Sequence, residues 1–330
     1  MSKTVFVLGA GASKDLDNHF PTGAELAAEI QQTLTDQKTR YWQNRADIGP
    51  LLQALLATGL GDPEWKALER IRTGIVTAES IDEFIDEYSE MARLADIGKL
   101  AIVQCILQAE ARSVWNQAVD PALVLQNLRD TWLGRILRFQ NRRMDVRRRD
   151  YVAAMEGVVF VTFNYDRLLE KTLWEHLTTA LGVPPDEAVE FLTSTPVIHV
   201  YGSAGRLDCL GGKQPYATTT NLRHPASQIR TFTETIDSIT GAAIASHVAS
   251  ADTLCFLGFG FNARNLEVLF PDGLSNLTKP DAPRIFATTS GIGQKQLNEL
   301  RQQLSSPYKT SNLRPVYAGD LLREIHDDLF

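Results

Sequence analysis

Four short segments of the chain hold residues whose types and spacing could do chemistry. Gly9-Ala10-Gly11-Ala12-Ser13 stands between an apolar run and a helical pattern. Glycines in that place let a backbone approach a diphosphate, and the N-terminus of the following helix supplies positive potential. That geometry favours a dinucleotide, while a tight structural turn would leave the same Gly-x-Gly pattern. The third glycine of a dehydrogenase fingerprint would fall at Lys14, and the Lys-Ser/Thr of a phosphate-binding P-loop is missing. Nor does an acidic residue close a second strand about 20 residues on, so an ordinary Rossmann dehydrogenase is disfavoured. Thr162-Phe163-Asn164-Tyr165-Asp166 follows the continuous apolar run Gly157 to Thr162. It would sit at the carboxyl end of a buried strand, where open α/β sheets bind ligands. Asn164 and Asp166 either face such a ligand or cap the helix that starts at Arg167. Val197-Ile198-His199-Val200-Tyr201-Gly202-Ser203 again ends a strand in a glycine turn beside titratable groups, and Leu257-Gly258-Phe259-Gly260-Phe261-Asn262 leads through glycines to one more helix.

The elements that must carry these segments follow from the apolar pattern. Lys3 to Ala10 reads as a short strand, and a helix opens at Thr22 to Leu26. From Gly49 to about Gln140 the apolar residues keep helical spacing: Leu51, Leu52, Leu55 and Leu56, then Ile81, Phe84, Ile85 and Tyr88, then Leu100, Val103 and Leu107. Further strands are expected at Pro196–Tyr201, Thr253–Gly258 and Pro283–Thr288. Helices are expected over Arg167–Leu181, from near Asn262 and from about Gln294. Strands alternating with helices imply an α/β fold with a doubly wound, mostly parallel, Rossmann-like sheet, and the strandless stretch implies a large all-helical insertion. The expected division is residues 1–39 and 151–330 for the nucleotide-binding unit and 40–150 for the insertion, which should cover the ligand cleft. Pro184 to Glu187 and Gly205 to Pro225 are the expected linkers.

Composition narrows the class. With 330 residues, 44% hydrophobic and 22% charged, the chain has the make-up of a globular protein with a sizeable core. No stretch approaches the roughly 20 apolar residues of a membrane span, and the N-terminal run ends in the glycine turn, so the expectation is cytoplasmic. The three cysteines, Cys105, Cys209 and Cys255, form no Cys-x-x-Cys pair and exclude a four-cysteine zinc site within one chain; no metal is expected. A net charge of −7 gives the surface no general attraction for nucleic acid. Arg138, Arg142, Arg143, Arg147, Arg148 and Arg149 interrupt this acidity, as a solvated helix end or as a contact for nucleic acid or an acidic partner.

Taken in order, G-A-G-A-S, T-F-N-Y-D, H-V-Y-G-S and L-G-F-G-F-N resemble the SIR2-like family of prokaryotic defence proteins, distant relatives of the sirtuin deacetylases. The likeness covers about residues 3–36 and 157–290, and the helical stretch resembles the family's variable insertion. It implies a sirtuin-like fold that holds NAD as substrate. Gly9, Ala10, Gly11 and Ser13 would contact the diphosphate and ribose, and Gly258, Phe259 and Gly260 the adenosine. Asn164 would meet the nicotinamide ribose and its attacking water, with Asp166 orienting that site. Ala12, Thr162, Phe163, Gly202, Ser203, Asn262 and Thr288 complete the NAD-contacting set that the resemblance implies.

The chain departs from those relatives twice. It cannot build the zinc ribbon of the deacetylases, which argues against deacetylation and for a zinc-free protein. Tyr201 also stands where the family usually shows histidine, with His199 two residues earlier. On a regular strand both would share one face, so His199 could approach the pocket as a base or could be a core histidine. His199 and Tyr201 are therefore both expected to flank the nicotinamide end beside Asn164. The resemblance implies an NAD glycohydrolase of an antiphage system, activated in an assembly: a homo-oligomer, paired with a separately encoded ATPase or nucleic-acid sensor. A catalytically weak module that binds NAD or ADP-ribose, and a nucleic-acid-processing subunit, are the alternatives.

Overall fold

The computed structural model describes residues 2–43, 48–78, 80–143, 155–218, 220–274, 282–304, 311–325 and 329. Six strands, β1 (Thr4–Leu8), β2 (Val158–Thr162), β3 (Val197–His199), β4 (Thr253–Leu257), β5 (Arg284–Thr288) and β6 (Ser311–Arg314), form one sheet in the order β3-β2-β1-β4-β5-β6. Every neighbouring pair is parallel. The chain winds outward from β1 in one direction and from β4 in the other, so the topological switch point lies between β1 and β4. This is the α/β, Rossmann-like architecture that the alternation of elements predicts.

Strands β1, β2 and β4 are buried along their whole length, which is why their sequences run apolar without alternation. Val5, Val7, Val159, Val161, Leu254 and Phe256 face one core, and Phe6, Leu8, Val158, Phe160, Cys255 and Leu257 face the other. Helices cover both. After β1 come α1 (Ala10–Leu16), α2 (Gly23–Gln43), α3 (Pro50–Leu56), α4 (Asp62–Gly74), α5 (Ile81–Glu87), α6 (Leu94–Arg112), α7 (Val114–Gln117), α8 (Pro121–Asn127) and α9 (Trp132–Arg143). Among the described residues no strand interrupts 50–143, as the spacing predicts. Helices α2 to α6 pack in the first core, while Trp115, Val124, Leu128, Trp132 and Leu133 of α7 to α9 and their connections pack in the second. The helical stretch therefore supplies cover to both faces of the sheet. Helix α2 runs unbroken through residue 39, and residues 144–154, with Arg147, Arg148 and Arg149, lie outside the described part of the chain.

The second half continues with α10 (Leu168–Glu175), α11 (Pro185–Ser194), α12 (Arg223–Ala226), α13 (Ser238–Ala249), α14 (Ala263–Leu269), α15 (Gln294–Gln303) and α16 (Ala318–Glu324). Two expectations need correction. Pro184 to Glu187 is no linker: its prolines start α11, because a proline at the first helical position lacks only an N–H that would have no partner there. The expected strand to Ala10 ends at Leu8, since α1 already begins at Ala10. Strand β6 and α16 are additions that the sequence pattern does not announce. No helix of the described residues is long and apolar enough to cross a membrane.

Candidate functional site

The carboxyl ends of β1, β2 and β4 meet at the switch point, and three of the four motif segments come together there. Gly9 follows β1 with an extended backbone and precedes α1 without a side-chain cap. Its N–H donates to Leu257 O at 3.0 Å, and the Gly11 N–H donates to Gly258 O at 3.1 Å. A Cβ on Gly9 would stand 2.4 Å from Gly258 O, and one on Gly258 only 2.1 Å from Ala12 N. Gly258 also has φ +56°, which a side chain would strain. The glycines thus let two backbones touch at the floor of the crevice, and the part-exposed Ala10 and Gly11 remain at its surface. Thr288 fastens the same floor by accepting the Gly258 N–H at 2.7 Å.

Asn164, Ser13 and Asp166 form a connected network across this floor. The Asn164 Nδ2 donates to Gly9 O and to Ser13 Oγ, both at 2.9 Å. Because Gly9 O can only accept, the nitrogen must face it, and the side-chain Oδ1 is left to accept from a water or a ligand hydroxyl. Ser13 Oγ in turn donates to Asp166 Oδ2 at 2.8 Å. The other Asp166 oxygen accepts the Leu168 N–H at 3.1 Å, so Asp166 is at once a helix cap and a member of the site. Burial pushes the Asp166 carboxyl up to about 6, against the opposing pull of the Ser13 and Leu168 hydrogen bonds. Thr162 Oγ1 accepts the Asn164 N–H at 3.1 Å and shapes the turn that presents Asn164.

His199 and Tyr201 do not share a face, which corrects the expectation that they flank one end of the pocket together. Strand β3 ends at His199 and the backbone turns at Val200 and Tyr201, so the alternation of side chains breaks between them. His199 lies between α10 and the strand ends: its Nδ1 is 3.0 Å from Asn164 O and its Nε2 is 2.6 Å from Glu170 Oε1. Tyr201 swings into the first core instead, where its hydroxyl donates to Asn265 Oδ1 at 2.9 Å. Its ring packs on Phe163 at 5.9 Å and Phe232 at 5.5 Å, and Phe163 packs on Phe259 at 5.0 Å. Burial raises the Tyr201 hydroxyl well above its ordinary value, so it stays protonated and acts as a donor. The Phe259 side chain is buried in this aromatic cluster, and its Cα lies close against Gly9.

The remaining expected contacts are distributed around this centre. Gly202, with φ +75°, has no room for a side chain, since a Cβ would stand 2.0 Å from Gln228 O. Ser203 lies apart, on a cavity of about 340 Å³ bounded by Glu170, Thr193, His199 and Arg206. Asn262 caps α14 by accepting the Arg264 N–H at 3.0 Å. Gly260 is exposed, with nothing within 4 Å of an added Cβ.

Sequence reasoning does not find Glu170, Asp82 or Asn265, each of which holds a motif residue, or Glu110, which holds Arg167 just after the second motif. The Tyr165 hydroxyl lies 2.7 Å from Asp82 Oδ1 of α5 and 2.8 Å from Arg230 O, and its one proton is shared between these two acceptors. Arg167 is buried and forks onto Glu110 of α6, with its Nε donating to Oε1 at 2.8 Å. Its Nη1 donates to Gln214 O at 2.8 Å and so pins the loop after β3. These partners lie tens of residues away, and no local spacing marks them. The Arg-Leu-Leu-Glu spacing from Arg167 to Glu170 is the one local hint that two charges share this helix.

Residues 158–309 match the family model for the SIR2-like domain, which spans β2 to α15 and three of the four motifs. Neither a curated protein nor a solved structure matches the chain. The matched stretch, just under half of the chain, is thus similar to a SIR2-like domain, and it carries the Asn164 turn on the six-stranded parallel sheet.

Proposed function

We propose that the chain binds NAD in this crevice and cleaves its nicotinamide–ribose bond, acting as an NAD glycohydrolase. The observation that carries the reading is the Asn164–Ser13–Asp166 network at the switch point of a SIR2-like domain. The residues suit a dinucleotide: glycines keep the floor narrow, Ala10 and Gly11 are part-exposed, and the Asn164 amide, its nitrogen held by Gly9 and Ser13, leaves Oδ1 to accept. NAD supplies an electrophilic ribose carbon and a leaving group that departs neutral, so little acid catalysis is needed and positioning dominates. In this reading Asn164 Oδ1 holds the attacking water or a ribose hydroxyl. The Asp166 carboxyl, at about 6, is ionised at neutral pH and takes up the released proton through Ser13 Oγ. Tyr201, protonated and bound to Asn265 in the core, takes up no proton in this reading.

The same reading assigns the chain to a defence system in which activity waits for assembly, because free NAD hydrolysis would deplete the cell that makes it. A homo-oligomer and a separately encoded partner belong to that proposal, as does a cytoplasmic location. The test is to follow nicotinamide release by purified protein, alone and with the products of neighbouring genes. Release that Asn164→Ala abolishes is the expected result, and no release under any condition would overturn the hydrolase. One observation favours a second reading, a module that binds NAD or ADP-ribose: neither His199 nor Tyr201 is free to act as base. Calorimetric NAD binding without turnover in every assembly would select it.

A further inference from the structure

His199 ends β3 in register with Thr162, beside the Asn164 turn. Its two ring nitrogens face two groups of one kind. Asn164 O, 3.0 Å from Nδ1, can only accept, and an ionised Glu170, 2.6 Å from Nε2, can only accept as well. A neutral imidazole carries one N–H and would leave one of these contacts without a proton. An imidazolium satisfies both. The charged neighbours agree: Glu170 and Asp166 face the ring from α10 and its cap, the Arg167 charge helps to hold Glu170 ionised, and Arg206 lies on the loop across the cavity. Helix α11 brings Leu192 and Thr193 to the same cavity and no charge. The second Glu170 oxygen is buried and without a hydrogen-bond partner among the described residues, so His199 is the cation on which that carboxylate depends.

We propose that His199, doubly protonated between Glu170 and the Asn164 carbonyl, is a positioning residue that fixes the Asn164 turn and thereby aims the Asn164 amide into the crevice. The role in catalysis rests on the hydrolase reading; the clamp itself does not. The Asn164 backbone is held from one side by His199 and its side chain from the other by Gly9 and Ser13, so the amide has one orientation. Losing the ring proton would leave the Asn164 carbonyl or the Glu170 carboxylate unmatched in a buried place, and the turn would relax toward solvent.

Nitrogen NMR of the full chain with labelled histidine, together with His199→Gln and His199→Lys, tests this. Both His199 nitrogens should carry protons at pH 7. His199→Gln should shift the Asn164 side-chain and backbone amide signals and lower kcat by roughly a hundredfold with KM little changed, the scale of a misplaced reacting group. His199→Lys, which keeps a charge and several donors, should restore both signals and rate. A neutral single tautomer at pH 7, or Lys and Gln variants with equal effects, would overturn the clamp. If the unaltered protein cleaves no NAD, the Asn164 signals decide alone. Shifts in the Gln variant that the Lys variant reverses would uphold the clamp while the hydrolase reading fails, and unmoved signals would sink it.

Discussion

The Tyr165 hydroxyl lies 2.7 Å from Asp82 Oδ1, joining the motif turn after β2 to a helix that the chain builds more than eighty residues earlier. Helix α5 makes a second such contact, since Arg264 of α14 donates to Asp86 Oδ2 at 2.6 Å. One short helix thus touches the elements that follow β2 and β4 on opposite sides of the crevice, so displacing α5 would alter both walls at once. Tyr165→Phe removes a buried donor and leaves the Asp82 carboxyl, pushed up to about 6 by burial, without that hydrogen bond. We expect a loss of about 1–3 kcal/mol in urea unfolding. Asp82→Asn keeps an acceptor for Tyr165 and should cost less. No measurable loss in Tyr165→Phe would show that the hydroxyl contact contributes nothing.

A second link is costlier to break. Arg167 and Glu110 are 1% and 0% exposed, and they bind α10 to α6 with no water to replace a lost partner. Removing one charge leaves the other buried and unpaired, so Glu110→Gln should cost about 3–5 kcal/mol. The Glu110 carboxylate also accepts the Ala217 N–H at 3.0 Å, and the loop after β3 should loosen with it. Replacing both, as Arg167→Met with Glu110→Leu, should recover much of the loss. Chemical denaturation of Glu110→Gln, of Arg167→Met and Glu110→Leu singly and of the double variant measures this, and additive losses in the double variant would contradict it.

These links mark where the sequence stops being legible. Strand β2 can be read from Val158 to Thr162 because a strand covered on both faces leaves an unbroken apolar run, and the helical stretch from Leu51 onward shows its period for the same local reason. The positions of Asn164, Gly9 and Gly258 follow, since each sits at a strand end where a parallel sheet binds ligands. His199 and Tyr201 mislead because a strand of three residues is too short to hold its alternation, and a turn sends the tyrosine to the opposite side of the sheet. Pro185 misleads in another way, since proline both ends and begins helices. The partners Glu170, Asp82 and Glu110 are set by tertiary packing, and a single charged residue in an amphipathic helix looks like any solvated one.

The pH dependence of stability should single out Asp166. Its folded value, about 6, lies above the ordinary carboxyl range, so the native state holds the proton more tightly than the unfolded chain. That contribution is complete below about pH 4 and is lost as pH rises through about 6. The amide in an Asp166→Asn variant carries no titrating proton and lacks this loss. The substitution weakens either the Ser13 or the Leu168 contact at every pH, a constant offset. Relative to the unaltered protein the variant should therefore gain stability between pH 4 and pH 7, by up to about 3 kcal/mol. Denaturation across that range reads the difference directly, and a difference that stays flat would mean that Asp166 titrates as an exposed carboxylate. His199 runs the same way within the same site. Burial pulls its value down but Glu170 raises it further, so its contribution is present below its ordinary value and is lost only above its folded one.

The contact between Gly258 and Ala12 gives the sharpest test of how the crevice is built. An added Cβ at Gly258 would stand 2.1 Å from Ala12 N and 2.3 Å from the Gly11 carbonyl carbon, both backbone atoms that no rotamer change can move. The φ of +56° adds conformational strain of roughly 1 kcal/mol or more. Gly258→Ala must then separate β4 from the turn after β1, breaking the Gly11 N–H to Gly258 O bond and loosening the Thr288 contact. The expected cost is about 3 kcal/mol or more, read as a melting temperature lowered by several degrees. Gly260 lies two residues on in the same loop, and an added Cβ there meets nothing within 4 Å. Gly260→Ala should leave the melting temperature within a degree or two, and any fall in NAD binding in that variant would report on the ligand and not on the fold. Similar melting for both variants would mean that the two strand ends do not touch in solution, and the narrow floor beneath Asn164 would have to be abandoned.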